Sequence, residues 1–215
     1  MIEWSVKGEA VRYRPDQKAR ARDALLSAGA REMKTRGFNG VGVDGLAAAA
    51  GMTSGAFYSN FTNKEALLEA IIDAGLGEPF VTDTTSTTRA QGRARLISFV
   101  DDYLSAHHST DPAEGCVMPT LSADVSRAEP PVKDAYQRKM TALVDRIAEL
   151  LDGDEADRLR RAWSIVALMV GSILISRGIP EQSESRLAPI ESASSTVVTL
   201  IGSDAQDRDA DSARP

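Results

Sequence analysis

The residues whose chemistry stands out are polar and basic side chains within residues 53–64. Thr53, Ser54 and Tyr58 carry hydroxyls, which can donate and accept hydrogen bonds. Lys64 adds a positive charge next to them. The chain contains no Gly-x-Ser-x-Gly elbow, phosphate-binding glycine loop or metal-ligand cluster, and its two adjacent histidines have no suitable nucleophile nearby. These residues indicate binding rather than catalysis, and they imply no cofactor and no metal.

The elements that must position these side chains are two short helices joined by a tight turn. We predict the first helix over residues 43–50 and the second over residues 55–60. Small residues are needed where such helices cross, and large apolar residues must fill the core beneath them. The small residues are Ala47, Ala50 and Gly51, and the apolar ones are Leu46, Met52, Phe57 and Phe61. The amino end of the second helix then projects outward, where its N–H groups and dipole favour phosphate.

The distribution of charge agrees with an anion-binding head. The formal net charge is −6, but residues 1–64 contain ten Lys/Arg against six Asp/Glu. Residues 65–215 contain the other fifteen Lys/Arg and twenty-five Asp/Glu. This asymmetry predicts a basic head on an acidic body.

Residues 37–68 resemble the DNA-binding signature of the TetR family of transcriptional regulators. The signature consists of Leu/Ile-Ala, then Ala-Gly-Val/Met, then Gly-x-Phe/Leu-Tyr-x-x-Phe-x-x-Lys-Glu-x-Leu. The matching residues are Leu46, Ala47, Ala50, Gly51, Met52, Gly55, Phe57, Tyr58, Phe61, Lys64, Glu65 and Leu67. Gly37 and Phe38 match the end of the family's first helix. A dozen matches in order is a specific signal, although it covers only the first third of the chain.

The resemblance implies a helix-turn-helix whose second helix enters the major groove of double-stranded DNA. Thr53, Ser54, Gly55 and Ala56 would lie near base edges, and Tyr58 and Lys64 would contact phosphates. The basic residues of the N-terminal arm would add further phosphate or minor-groove contacts. These are Arg14 and Lys18, together with Arg12 and possibly Lys7.

Two departures from the family pattern affect the DNA-binding segment. Val41 and Gly42 stand where Thr or Ser is frequent, so Gly42 must cap the helix near the DNA without a hydroxyl, at a cost of a few tenths of a kcal/mol. Ser54 stands where Lys or Arg is common. The operator sequence therefore cannot be transferred from a relative.

Beyond this segment the pattern is helical throughout, which predicts an all-α fold with two domains. We predict a helix-turn-helix domain over residues 1–62, with an arm over residues 1–15, and a helical regulatory and dimerisation domain over residues 63–201. Residues 202–215 form a polar tail, predicted to be disordered. The predicted helices cover about residues 16–36, 43–50, 55–60, 63 onward, 96–104, 116–127, 130–153, 154–178 and 187–201.

The resemblance also implies a homodimer formed through the last two helices, on a pseudo-palindromic operator with half-sites roughly 34–36 Å apart. It implies an internal pocket for a small-molecule effector that shifts the dimer away from DNA, usually to relieve repression. Candidate lining residues are Phe99, Tyr103, Cys116, Met118, Leu121, Tyr136, Met140, Trp163 and Met169.

Two alternatives remain open. Cys116 follows Gly115 at a predicted helix start, and a related branch of the family carries Gly-Cys here, with some members sensing oxidants or electrophiles through it. A helix N-terminus can favour the thiolate, but a small packed thiol would look the same in the sequence. The other alternative is a helical interaction module that recruits an acidic partner without binding DNA.

Composition places the chain among soluble globular proteins, with 42% hydrophobic and 26% charged residues. One cysteine excludes an intramolecular disulfide and favours a reducing, cytoplasmic setting. Residues 1–16 do not resemble a signal peptide. The longest apolar run, residues 162–175, is shorter than a bilayer requires, so we expect a buried core helix and no membrane partner.

Overall fold

The computed structural model describes residues 15–78, 80–82 and 88–202. Helices account for its regular secondary structure, and these ranges contain no strand, so the predicted all-α fold is confirmed. The helices are α1 (Pro15–Arg36), α2 (Val43–Ala49), α3 (Ser54–Tyr58), α4 (Lys64–Gly75), α5 (Arg89–Tyr103), α6 (Ala106–Thr110), α7 (Met118–Ser126), α8 (Pro130–Glu149), α9 (Glu155–Gly178) and α10 (Ala188–Gly202). Two short elements were not predicted, namely α6 and a 3₁₀ turn over Phe38–Gly40.

The boundaries of α1 to α4 follow from local capping. Gly37 has a φ of 75°, a left-handed conformation that ends α1 at little cost for glycine. Gly42 is the N-cap of α2 and contributes no side-chain hydrogen bond. Thr53 caps α3 by accepting from the Ala56 N–H at 3.3 Å, and Asn63 caps α4 by accepting from Ala66 at 2.8 Å. Side-chain oxygens thus satisfy N–H groups that a helix start leaves without partners.

The first four helices enclose the small core that the sequence predicts. Leu25 and Leu46 are fully buried with Phe57, and Phe61 is almost so. Helix α1 crosses α4 at close range, because a Cβ added at Gly29 would lie only 2.8 Å from Cδ2 of Leu67. A side chain at position 29 would therefore require the fully buried Leu67 side chain to move.

The remaining helices form the body. Helix α8 packs against α4 and α9, and α10 packs against α9 and α5. Arg161 is buried near one end of this assembly and bonds to three segments. It donates to Asp157 Oδ2 at 2.9 Å, to the Leu200 carbonyl at 2.8 Å and to the Asp152 carbonyl. The guanidinium thus ties α9 to the end of α10 and to the loop after α8, in the manner of a fully hydrogen-bonded buried charge.

Helix α9 is long and apolar enough, by length and composition, to cross a membrane, and it is the one helix of the described chain that is. The indication is weak, because a core helix of a soluble protein meets the same criterion. Ala162, Ile165 and Val166 are buried against the other helices, whereas Trp163 and Leu174 are exposed. The contacts of α9 with α6, α7, α8 and α10 are those of a core helix.

Candidate nucleic-acid interface

Helix α3 packs one face on the small core that the first four helices enclose, and its other face is open to solvent. Phe57 is fully buried beneath it and meets the ring of Phe61, with 5.9 Å between centroids. Thr53 and Gly55 are exposed, and Tyr58 is 58% exposed. Because Phe57 fixes the inner face, the outer face presents the helix start and the Tyr58 hydroxyl together. This arrangement can donate hydrogen bonds to phosphate or base-edge oxygens.

Ser54 has a partner that the sequence did not reveal. Its hydroxyl donates to Oδ1 of Asp44 at 2.5 Å, across the turn between α2 and α3. Asp44 is exposed in the first turn of α2, where a carboxylate interacts favourably with the helix dipole. An acid at a helix start is a weak sequence signal, and it does not identify Ser54 as the partner. Contact of Ser54 with a base edge remains a prediction, as it does for Gly55 and half-buried Ala56.

Lys64 holds the segment that leads into α2. Its Nζ donates to the carbonyls of Phe38 at 2.9 Å and of Val41 at 3.2 Å, and it lies 4.1 Å from the centroid of the Phe38 ring. The ammonium is therefore half-buried and partly occupied by protein acceptors. The phosphate contact predicted for Lys64 is untested, and the structure adds a positioning role.

The basic end of α1 borders the same surface. Lys18 lies with Thr53, Ala56 and Asn60 along an open cleft of about 740 Å³ between α1 and α3. Arg22 donates to the Asn60 carbonyl at 3.1 Å and lies 4.3 Å from the centroid of the Phe61 ring, so it fixes the end of α3 to α1.

The other predicted basic and capping positions are placed less fully. Gly42 is exposed, and a Cβ there would meet no atom within 4 Å. A side chain at position 42 would thus be accommodated without displacing a neighbour. Arg14, with Arg12 and Lys7, lies outside the described residues, so its predicted DNA contact remains a prediction.

A second candidate site is an open cavity of about 510 Å³ between α1, α4, α5 and the segment leading into α7. The structure brings together four of the nine predicted pocket residues here, Phe99, Tyr103, Cys116 and Met118. Lys34 of α1 also lines the cavity. Sequence periodicity did not reveal it, because nothing in the pattern of α1 says which of its polar residues faces the body.

The other five predicted pocket residues lie away from this cavity. Leu121, Met140 and Met169 are buried in the helical core. Tyr136 is half-buried, with its hydroxyl 2.8 Å from Ser122 Oγ. Trp163 is 49% exposed on the outer face of α9. Their part in ligand binding remains a prediction.

The surroundings of Cys116 favour the protonated thiol over the thiolate. Its N–H donates to Nε2 of His108 at 2.9 Å, and its Sγ accepts from the N–H of Met118 at 3.4 Å. Burial raises the pKa of the Cys116 thiol, and the nearby hydrogen bonds and Lys34 offset this only in part. Burial also raises the pKa of the Tyr103 hydroxyl well above its ordinary value. Both groups are therefore neutral at physiological pH.

Curated proteins are similar to this chain in sequence over much of its length. The HTH-type transcriptional repressor NemR of Escherichia coli K12 is 24% identical over 188 residues, covering 81% of this chain and 94% of NemR. The HTH-type transcriptional repressor DhaR of Mycobacterium sp. GP1 is 24% identical over 148 residues, covering 65% of this chain and 70% of DhaR.

Solved structures agree in fold. The crystal structure of reduced E. coli NemR has a TM-score of 0.66 at 23% identity, covering 86% of this chain and 98% of that one. A TetR-family regulator from Cytophaga hutchinsonii has a TM-score of 0.68 at 20% identity, with coverages of 87% and 98%.

The family model described as bacterial regulatory proteins, tetR family, matches residues 25–71. This match spans the second half of α1 and all of α2 and α3, and it ends within α4. It therefore includes the exposed face of α3 and both partners of the Ser54–Asp44 hydrogen bond. These matches support a transcriptional regulator of the tetR family of bacterial regulatory proteins, whose members are non-enzymatic DNA-binding transcription factors.

Proposed function

We propose that this chain is a cytoplasmic transcriptional repressor that binds a pseudo-palindromic operator as a homodimer and is released by a small molecule. The observation that carries the proposal is the outer face of α3, where an exposed helix start and Tyr58 stand above a core fixed by Phe57. Repression is supported by NemR and DhaR, both of which are named transcriptional repressors.

Exposed apolar residues support the homodimer. Of the seven large hydrophobic side chains exposed in the described chain, five lie on α9, on α10 or just before α10. They are Trp163, Leu174, Ile175, Leu187 and Val198. Exposed apolar side chains concentrated on two neighbouring helices of a soluble protein generally mark an interface. A two-fold interface here would pair α9 and α10 of each subunit in a four-helix arrangement.

Such a dimer would present two copies of α3 to one face of DNA. Helix-turn-helix dimers place their recognition helices in successive major grooves, roughly 34–36 Å apart, so their operators are pseudo-palindromes. The acidic body would stay away from the phosphates, since the excess of Asp and Glu lies in residues 65–215.

The cavity of about 510 Å³ supports a small-molecule effector. Its volume falls within the range of roughly 300–1,000 Å³ that is typical of ligand pockets. Leu26, Ala30 and Lys34 of α1 form one wall. Because α1 also packs on α2 and α4, a ligand here would contact a helix of the DNA-binding head. Differential binding to two dimer geometries would then shift the population away from DNA.

The test is selection of binding sites from random duplex DNA with the purified full chain, followed by salt titration of the selected site. We expect an inverted repeat bound by a dimer, with affinity falling by roughly 10³–10⁵ between 50 and 200 mM salt if 6–10 phosphates are contacted. Light scattering in the same buffer would give the oligomeric state. If a confirmed dimer enriched no sequence at low salt, the DNA-binding proposal would be wrong.

A further inference from the structure

Lys34 is the unusual charged group of the cavity. It is half-buried, and its Nζ donates to the Gly115 carbonyl at 2.7 Å. Within the described chain no carboxylate lies within ion-pairing distance of it, although Glu114 and Asp111 are near enough to act on it electrostatically. An ammonium has three N–H donors, and Gly115 uses one. Lys34 therefore retains donors and an unpaired charge at the cavity wall.

The three carboxylates that line the cavity are in a different situation. Glu78 pairs with Lys139 at 2.7 Å, and exposed Glu114 pairs with Arg31 at 3.6 Å. Asp102 is exposed, so water solvates its charge. A half-buried ammonium without a counter-ion costs more than an exposed carboxylate without one. Burial accordingly lowers the pKa of Lys34, which shows that the neighbouring carboxylates do not fully compensate its charge.

The other buried polar group at the wall is also a donor. The Tyr103 hydroxyl lies beside the Cys116 thiol and donates to no oxygen or nitrogen of the described residues. The Cys116 sulfur is only a weak acceptor for this buried hydroxyl, and a ligand oxygen would be a stronger one. Both Lys34 and Tyr103 thus favour a ligand that brings acceptors.

Aromatic rings form part of the cavity wall, which Phe99, Tyr103 and His108 line. The ring centroids of Phe99 and Tyr103 are 6.2 Å apart, and Phe80, outside the lining, stacks on Phe99 with centroids 4.6 Å apart. The ring of His108 lies 4.3 Å from that of Tyr103. A series of rings along one wall suits a flat apolar ligand body, which gains both burial and ring contacts.

We propose that the cavity binds a flat, apolar carboxylic acid in its anionic form, and that Lys34 pairs with the carboxylate. The identification of this acid as the effector rests on the proposed function, whereas its binding does not. Lys34 belongs to α1, so the ligand's charged end would contact a helix of the head directly. The carboxylate would accept the N–H donors that Gly115 leaves free.

The test uses the full chain without DNA, with calorimetry of three probes that share one ring system. They are 2-naphthoate, 2-naphthamide and 2-naphthylmethylamine, which are anionic, neutral and cationic at pH 7.5. We expect 2-naphthoate to bind about tenfold or more tightly than either of the others. Lys34→Gln, which keeps a donor for Gly115, should weaken the binding of 2-naphthoate by about tenfold or more. Lys34→Arg keeps the positive charge and should retain most of the wild-type affinity.

Asp102→Asn is the matched control, because it removes the exposed charge at the same cavity. It should leave 2-naphthoate binding unchanged or slightly tighter, and thermal unfolding should establish that every variant is folded. Equal or tighter binding of the amine, with loss in Asp102→Asn, would overturn the proposal in favour of a cation site. Absence of 2-naphthoate binding at millimolar concentration, or unchanged binding in Lys34→Gln, would also overturn it. Because the assay contains no DNA, these results are independent of operator binding.

Discussion

The hydroxyl of Ser54 lies 2.5 Å from Oδ1 of Asp44, which links the first turn of α3 to the first turn of α2. The link sets the position of α3 on the side that the proposed function assigns to DNA. It also places a negative charge on that side, because Asp44 is exposed. A carboxylate here both orients Ser54 and disfavours close approach of phosphates.

Asp44→Asn should raise the affinity for non-operator duplex about two- to fivefold at 50 mM salt. The change removes a repulsive charge near the phosphates, and a charge interaction of this kind is worth about 1 kcal/mol or less in solvent. Fluorescence anisotropy with a labelled random duplex measures the effect. Asp101→Asn, an exposed site on α5, is the control and should change nothing. Equal affinities for wild type and Asp44→Asn would contradict the placement of Asp44 beside DNA.

Tyr58→Phe and Lys64→Met should separate DNA contact from stability. Tyr58 is exposed and its hydroxyl makes no hydrogen bond to another described residue, and the phenylalanine ring would keep the edge contact with Phe57 at 5.5 Å. Removal of the hydroxyl should weaken operator binding about fivefold without changing the free energy of unfolding.

Lys64→Met should weaken operator binding and also reduce the free energy of unfolding by about 1–3 kcal/mol, since the carbonyls of Phe38 and Val41 lose a charged donor. Denaturant unfolding and anisotropy measure the two effects, and a stable Lys64→Met variant would refute the positioning role.

Leu174→Glu should convert the dimer to a folded monomer that has lost operator affinity. Leu174 is 55% exposed in the isolated subunit, so the substitution costs little there, whereas a charge buried in an α9–α10 interface is strongly unfavourable. Light scattering and circular dichroism would report mass and helicity. Ile97→Glu, at a hydrophobic residue that is 38% exposed on α5, is the control and should remain dimeric. If the Leu174→Glu variant were still a dimer, the interface would have to lie on a surface that does not include Leu174.

Cys116 should react slowly with iodoacetamide at pH 7.5, and the rate should still be rising at pH 9. Burial raises the pKa of the thiol above its usual value of 9.0, so the thiolate fraction is small at neutral pH and grows as pH increases through that range. Mass spectrometry of timed samples measures the rate, with glutathione and the denatured chain as references. A fast reaction at pH 7.5 that reached a plateau below pH 9 would favour the alternative of a thiol sensor.

Local rules explain what could be predicted from the sequence. The caps at Thr53 and Asn63 each use an oxygen and an N–H three residues apart, and the core residue Phe57 follows from helical spacing, so both are present in a short stretch of sequence. The partners of Lys64 could not be predicted in this way. They lie 26 and 23 residues earlier, in a segment whose path depends on how α1 and α2 pack.

The candidate ligand site was predictable only in part, for a related reason. Phe99 and Tyr103 lie on the inward stripe of an amphipathic helix, and both line the cavity. Lys34 reaches it because the end of α1 lies against the segment before α7, where Lys34 donates to the Gly115 carbonyl at 2.7 Å. The 3₁₀ turn after α1 contacts α7 itself, because the Phe38 N–H donates to Asp124 at 3.0 Å. No periodicity in a single sequence specifies contacts between elements separated by 80 or more residues.

Helix α1 forms part of the head and also a wall of the cavity, and this has a consequence for genetics. In a reporter strain, substitutions that abolish the response to an effector should arise in α1 as well as in the body. Those at Leu26, Ala30 and Lys34 should leave repression intact, whereas those at Leu25 and Gly29, which face the core of the head, should relieve it permanently. Substitutions at neighbouring positions of α1 would thus give opposite phenotypes, permanent repression at some and loss of repression at others.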